Sequence, residues 1–341
     1  MSEDIADGLT VSGTDLRGQI ERLRSRYPDI HRRIDVHRTE CWIADHPETG
    51  TARDDFGAET DGGRGPAYIR AQRLNAEARA QGIARLLEFV RQPGGPDRRA
   101  VLDLLGGDGL LWRVAALLDI RDLDIITCDA SPHMIEAAWA SGVPALLQRA
   151  ERLLFRPESV DAVLLAYGAH HIAPGDRLGV SMEAHRVLRP RGTFVLHDFQ
   201  VGSPVDRWFA QVVDRHSLTG HQYAHYTPEE IRGHLAKAGY ATYEVLEIDD
   251  PYTSTGETAE EAELRLGEYL VNMYGLRKAQ DALGDQAAFL WAVEQARAIF
   301  RYPNDDGTVL ESTTAYDQDA AVWRFMIPRR ALVGVGRKGD R

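Results

Sequence analysis

The chain has 341 residues, 43% of them hydrophobic, enough to bury the core of one large domain or two modest ones. Its formal net charge of −12 excludes the basic face a nucleic acid needs, while leaving room for a compact nucleotide-like ligand held by backbone groups. With only Cys41 and Cys128, and no run of the roughly 20 apolar residues a membrane helix needs, the expectation is a soluble cytoplasmic protein without disulfides or membrane contact.

The opening "MSEDIADGLT" lacks the basic-then-apolar order of a signal peptide, and residues 1 to about 15 read as disordered. A charged helix is expected from Asp15 to Val36, and a Gly- and Asp-rich loop over 46–66. "AYIRAQRLNAEARAQGIARLLEFV" (67–90) has a strong helical pattern, closed by "RQPGGPD". From there strand-like runs alternate with helices. "AVLDLL", "LDIITCD", "PALLQ", "SVDAVLLAY" and "GTFVLHDF" are the strands of a βαβ series. That alternation predicts an α/β fold, a parallel doubly wound sheet with its ligand crevice at the carboxyl ends of the strands. Further on come helices near 203–217 and over 227–240, a strand "TYEVLEI", an acidic helical segment from about 256 to 300, and a closing strand "RRALVGVGRK". The expected organisation is an N-terminal helical region (1–97), the core (98–255), a helical insertion (256–320) and the last core strand (321–341).

Within "AVLDLLGGDGLLWRV" (100–114) a strand meets a helix through a glycine-rich turn, which brings backbone N–H groups and a helix N-terminus close to a ligand. Crowded glycines also occur in such turns for steric reasons alone. A dinucleotide is disfavoured: counting from Gly107, the G-x-G-x-x-G pattern finds Gly109 and then Trp112. "VLDLLGGDG" instead resembles the first motif of class I S-adenosyl-L-methionine (SAM) dependent methyltransferases, with Asp103, Gly107 and Gly109 in register. Leu105 replaces the family's usual first glycine, and Gly106 is next to it. The resemblance spans roughly 98–250 and implies a seven-stranded Rossmann-like sheet with its last strand antiparallel.

Asp129 ends "LDIITCD" 20 residues after Gly109, where a carboxylate can accept two hydrogen bonds from a ribose diol. Its bland role is to cap the next helix, which Ser131 can do equally well. "DASPHMIEAA" is similar to the family's second motif, implying Ala130 and Ser131 beside the ribose and Met134 against the adenine. "QRAERLLFRPESVDAVLLAYGAHHI" resembles its third, implying Ala150 and Glu151 as adenine neighbours. Arg149 stands where the family has an aspartate, and a guanidinium only donates, so it takes no part as an acceptor from the adenine amine.

Tyr167, His170 and His171 follow the strand "VDAVLLAY". The tyrosine either holds a sulfonium by a cation–π contact or closes the strand's apolar end. The family resemblance implies that one of the paired histidines packs and the other lines the pocket; the alternative to a purely structural pair is that His170 or His171 acts as a general base. His197 and Asp198 end the next strand and point to opposite sides if extended. Some methyltransferases acting on α-keto acids hold a metal with a His-Asp pair here and a distant histidine. No spacing singles out His216, His221 or His225, so a histidine-lined acceptor pocket without a metal is expected, with His197 in it and Tyr226 on its wall. In related enzymes helices such as "GPAYIRAQRLN" fold over the cofactor or pair two subunits, which implies a homodimer as one use. Tyr68, Arg70 and Arg73 are the candidates there for the cofactor's carboxylate.

Displacement at a sulfonium needs positioning and desolvation more than any covalent group, so a strong ligand signature beside a weak catalytic one is expected. The leading expectation is transfer of a methyl group to a small-molecule acceptor in specialised metabolism. The alternative uses SAM alone, its amine closing a four-membered ring with release of methylthioadenosine, as in azetidine-2-carboxylate synthases, which resemble methyltransferases. That reaction calls for a small, closed, aromatic pocket. A non-catalytic SAM-binding protein is the third reading.

Overall fold

The computed structural model describes residues 16–45, 56–57, 63–91 and 98–340. The expectations for 1–15 and most of the 46–66 loop lie outside these residues. Seven strands form the main sheet: β1 (Arg99–Leu104), β2 (Leu123–Asp129), β3 (Ala145–Leu147), β4 (Val160–Leu165), β5 (Leu188–Asp198), β6 (Thr242–Asp249) and β7 (Arg330–Arg337), in the order β3-β2-β1-β4-β5-β7-β6. β7 is antiparallel to both of its neighbours, and the pairings from β3 to β5 are parallel.

Every residue of β1 and β4 is buried, as continuous apolar runs require when helices cover both faces. The period-2 rule then divides the core. Val101, Ile125, Leu164 and Val195 pack on one side, and Leu102, Ile126, Val163 and Phe194 on the other. The strand order reverses between β1 and β4, so the loops after those two strands flank the crevice.

Pro28 divides the N-terminal helical stretch into Leu16–Arg26 and Pro28–His31, followed by Val36–Asp45. The pattern over 67–90 is interrupted as well. A helix runs Gly65–Leu74, Asn75 leaves helical geometry at φ −141°, a 3₁₀ turn spans Ala76–Arg79, and a second helix runs Ala80–Val90. This break re-phases the second half and turns Arg79 inward.

The segment between β6 and β7 differs from the expected helical insertion. Its helices Ala259–Tyr274, Arg277–Leu283 and Asp285–Ile299 are joined by a three-stranded antiparallel sheet of Thr313–Asp317, Val322–Ile327 and Tyr252–Gly256. The insertion therefore extends past the expected boundary at 320, while the closing strand falls within the expected "RRALVGVGRK". Val322–Ile327 pairs with Tyr252–Gly256, Pro328 ends that ladder for want of an N–H, and β7 starts at Arg330. Pro251 makes the matching break on the way out of β6. Among the described residues no helix is long and apolar enough to cross a membrane.

The two long helices of the insertion meet at Gly267, where a Cβ would lie 2.3 Å from the Phe289 carbonyl oxygen. Because that neighbour is backbone, it cannot swing away. Gly267→Val is expected to destabilise the chain by about 1–3 kcal/mol through overpacking, read as a lower urea midpoint, whereas valine at exposed Gly175 should leave the midpoint unchanged.

Candidate active site

The turn after β1 and the end of β2 are tied together through one carboxylate. Asp129 Oδ2 accepts from the Gly107 N–H at 2.9 Å and Oδ1 accepts from the Ser131 N–H at 2.9 Å, while the Gly106 N–H donates to the Cys128 carbonyl at 3.1 Å. Ser131 is the cap of helix Pro132–Ala140, its Oγ accepting from the Met134 N–H at 3.3 Å, so Asp129 does not serve as the cap. Leu105 adopts φ +56°, the left-handed conformation a glycine takes freely and an L-residue takes at roughly 1–2 kcal/mol. The departure from the family pattern thus changes the residue and keeps the backbone conformation. Asp103 is buried, and its Oδ2 has no hydrogen-bond partner among the described residues. Burial, reinforced by the nearby Asp129 charge, pushes its carboxyl well above the usual range.

These groups open onto a cavity of about 1360 Å³ at the carboxyl ends of the strands. Asp103, Gly106, Gly107 and Asp129 line it at the turn, followed by Ala130, Ser131 and Met134. Ala150 and Glu151 line it beside them, and Glu151 is ion-paired with Arg149. Tyr68 lies over the turn, its Cε1 3.6 Å from where a Gly107 Cβ would be. Tyr167, His170 and His171 line the other side.

Five expected site residues are elsewhere. Gly109, at φ +87°, caps helix Leu110–Leu117 and packs toward Val143, away from the cavity. Arg73 is turned outward, donating to Ser141 Oγ at 3.1 Å; it lies before the break at Asn75, on the other phase of the helix. Arg70 likewise points outward, to Glu268 at 3.0 Å. His197 is fully buried behind Tyr167, because it alternates with Asp198 along β5 and faces the opposite side of the sheet. Tyr226 is also buried, donating to the Ala169 carbonyl at 3.3 Å.

A buried ionic corner supports the middle of the cavity. Arg329 pairs with Asp250 at 2.6 Å and donates from Nε to the Asp250 carbonyl at 2.8 Å. Asp250 Oδ1 accepts from the Tyr167 hydroxyl at 2.9 Å, and its Oδ2 lies 3.3 Å from His197 Nε2. His197 Nδ1 accepts from the Tyr167 N–H at 3.3 Å, which makes Nε2–H the donor to Asp250 and supports Tyr167 at its left-handed φ of +62°. Burial opposes the Asp250 charge, but Arg329, with His197 and Tyr167, holds the carboxyl below its ordinary value. Arg79 enters from the opposite wall, 2% exposed, its Cζ 4.5 Å from the Tyr167 ring centre. The cation–π position expected for a sulfonium is thus taken by a guanidinium. Arg79 donates to the Tyr68 hydroxyl at 3.3 Å, has Nε unpartnered, and has no ion-pair partner among the described residues.

The far end is built of histidines. His170 Nδ1 lies 2.9 Å from Asp198 Oδ2, and the His170 N–H donates to the same oxygen at 2.7 Å. His171 and His221 stand beside it, ring centres 4.6 and 5.0 Å from that of His170, with Tyr223 against His171. Burial holds His171 well below its ordinary pKa and brings His221 down to about 2, so both are neutral at pH 7. Arg79, Asp250, Arg329 and His221 were not singled out as site residues by sequence; the prolines next to Asp250 and Arg329 are the only local sign of that corner.

Residues 102–196 match the methyltransferase domain family. The chain is 38% identical over 96 residues to the uncharacterized methyltransferase Rv3342 of Mycobacterium tuberculosis, covering 28% of this chain and 37% of that protein. It is 32% identical over 120 residues to the ubiquinone/menaquinone biosynthesis C-methyltransferase UbiE of Acidiphilium cryptum, covering 33% of this chain and 47% of that one. The chain thus spans less than half the length of these curated relatives. Among solved structures it resembles the YcgJ protein of Bacillus subtilis (TM-score 0.47, 17% identity, 76% of this chain and 99% of that chain). It also resembles a Haemonchus contortus phosphoethanolamine N-methyltransferase 2 in complex with SAM (TM-score 0.46, 19% identity, 76% and 52% covered). The family match lies within the core, and the motifs and strand order of that core agree with it.

Burial opposes the charge on Asp198, yet His170, with His225 and the Phe199 N–H, holds its carboxyl at about 2. A carboxyl depressed in the folded state stabilises above its unfolded pKa of about 3.9 and loses that contribution as pH falls through the folded value, roughly 2 kcal/mol in all. Urea midpoints measured between pH 5 and pH 2 should therefore drop for the parent, and less steeply for Asp198→Asn.

Proposed function

We propose that this chain transfers the methyl group of SAM to a second small molecule bound in the same cavity. The residues at the turn suit the donor. Asp129 is fixed by two backbone N–H groups, one from each ligand-facing loop, which sets its carboxylate where a ribose diol would meet it. Gly107 lies under Tyr68 and beside Met134, Met134 and Ala150 give the apolar walls an adenine needs, and Asp103 is buried beneath Gly106 with its Oδ2 unpartnered among the described residues. The observation that carries the reading is the Asp129 bridge between the two ligand-facing loops.

Arg79 takes the place expected of Arg73. A buried guanidinium without a carboxylate is costly, and the carboxylate of the donor's amino-acid tail would neutralise it bidentately. The acceptor then occupies the aromatic and histidine-lined remainder, where Tyr223, Phe209 and Tyr274 exclude water. Its nucleophilic atom bonds to the methyl carbon as the carbon–sulfur bond breaks, the electron pair returning to sulfur. Positioning and desolvation supply the rate. Ring closure within SAM needs room for one ligand, whereas about 1360 Å³ exceeds the usual 300–1,000 Å³ of a single-ligand site, which favours two.

Incubation with SAM alone should leave the nucleoside intact, and adenosylhomocysteine should form once an acceptor is supplied; methylthioadenosine from SAM alone would overturn this in favour of ring closure. By calorimetry Asp129→Ala should weaken SAM binding at least about 10-fold, the worth of charge-assisted bonds to the diol, and Arg79→Met should weaken it similarly.

A further inference from the structure

We propose that His170, His171 and His221 hold a divalent transition-metal ion at the acceptor end of the cavity. One ring nitrogen from each lies within 4.8 Å of the other two. Three imidazoles on one ion at bond lengths of about 2.1 Å would be some 3.4 Å apart, so side-chain rotations of about 1 Å close the set. The histidines come from two separate elements. His170 and His171 lie on the 3₁₀ turn Ala169–His171 after β4, and His221 on the loop after Asp214–His216, its N–H fixed by Asp214 Oδ1 at 2.9 Å.

Two features distinguish this cluster from packed core histidines. His170 gives Nδ1 to Asp198, leaving Nε2 without a hydrogen-bond partner among the described residues, which is the carboxylate–histidine arrangement that orients a metal ligand. His221 is 7% exposed and neither of its ring nitrogens has a partner among the described residues. Leaving such groups unsatisfied costs about 1–3 kcal/mol, which an ion would remove. A second grouping, His170 with Asp198 and His225, is geometrically near, but Asp198 already accepts from the N–H groups of His170 and Phe199, and His225 is bonded to Asp206 at 2.6 Å.

An all-imidazole set selects Zn²⁺, Fe²⁺, Co²⁺ or Ni²⁺ over Mg²⁺ or Ca²⁺, and three protein donors leave a position open. That position faces the space given above to the acceptor, so it would take a carbonyl or hydroxyl oxygen of that molecule and orient its nucleophilic atom. Ion binding stands apart from the methyl-transfer reading; only the orienting role rests on it. The sequence expectation of a metal-free pocket is revised accordingly.

The test uses the full chain stripped with chelator and titrated with Zn²⁺ by calorimetry and with Co²⁺ by visible absorption. The expected result is one ion per chain, with a ligand-field band from Co²⁺. His221→Ala and His171→Ala should lose it, Asp198→Asn should bind about 10- to 100-fold more weakly, and His216→Ala should bind as the parent does. SAM binding by the same variants reports that they are folded. Absence of stoichiometric binding by the parent, or binding undiminished in a folded His171→Ala/His221→Ala double variant, overturns the proposal. Loss of SAM binding in the parent with ion binding intact would instead overturn the methyl-transfer reading.

Discussion

The ion pair between Asp250 and Arg329 fixes the corner on which the site is built. A buried pair is stable only when its remaining donors and acceptors are satisfied, and removing one partner of such a pair costs about 3–5 kcal/mol. Here the Asp250 N–H and carbonyl meet the Arg329 backbone and side chain, and Tyr167 and His197 complete the carboxylate. One interaction therefore joins the exit from β6, the return into β7 and the loop after β4. Tyr167 can keep its left-handed backbone because its hydroxyl and its N–H are both held by groups of this corner.

Charge is divided along the cavity. The turn after β1 carries the Asp129 carboxylate beside Asp103, whose carboxyl burial pushes well above the usual range. Arginines flank Tyr167 in the middle, Arg79 from the helical wall and Arg329 from the insertion. Histidines close the far end, His171 and His221 among them held neutral by burial. A ligand with a hydroxyl-rich sugar, a carboxylate tail and an electrophilic carbon between them meets complementary groups in that order. Such an arrangement discriminates by the sign of charge at each depth, which area alone would not do.

Local patterns made much of this legible. Continuous apolar strands, the glycine turn and the acid after β2 depend on residues close in sequence, and the sheet order and the Asp129 bridge follow from them. Arg79 is hidden from the sequence because a helix break at Asn75 changes which residues face inward, so the candidates Arg70 and Arg73, which precede the break, point elsewhere. Asp250 and Arg329 lie 79 residues apart and come together only through the insertion. His197 and Asp198 were correctly expected to diverge, but which of them faces the histidines depends on the register of β5 against β7. The insertion was read as helical because its strands are short and polar on one side.

The segment 250–329 leaves and rejoins the sheet at a single point, clasped by one salt link. It also supplies Tyr252, Met273 and Tyr274 to the cavity wall. Exchange of that module for another, with its two terminal residues kept, would reshape one wall of the cavity while leaving the glycine turn and Asp129 as they are.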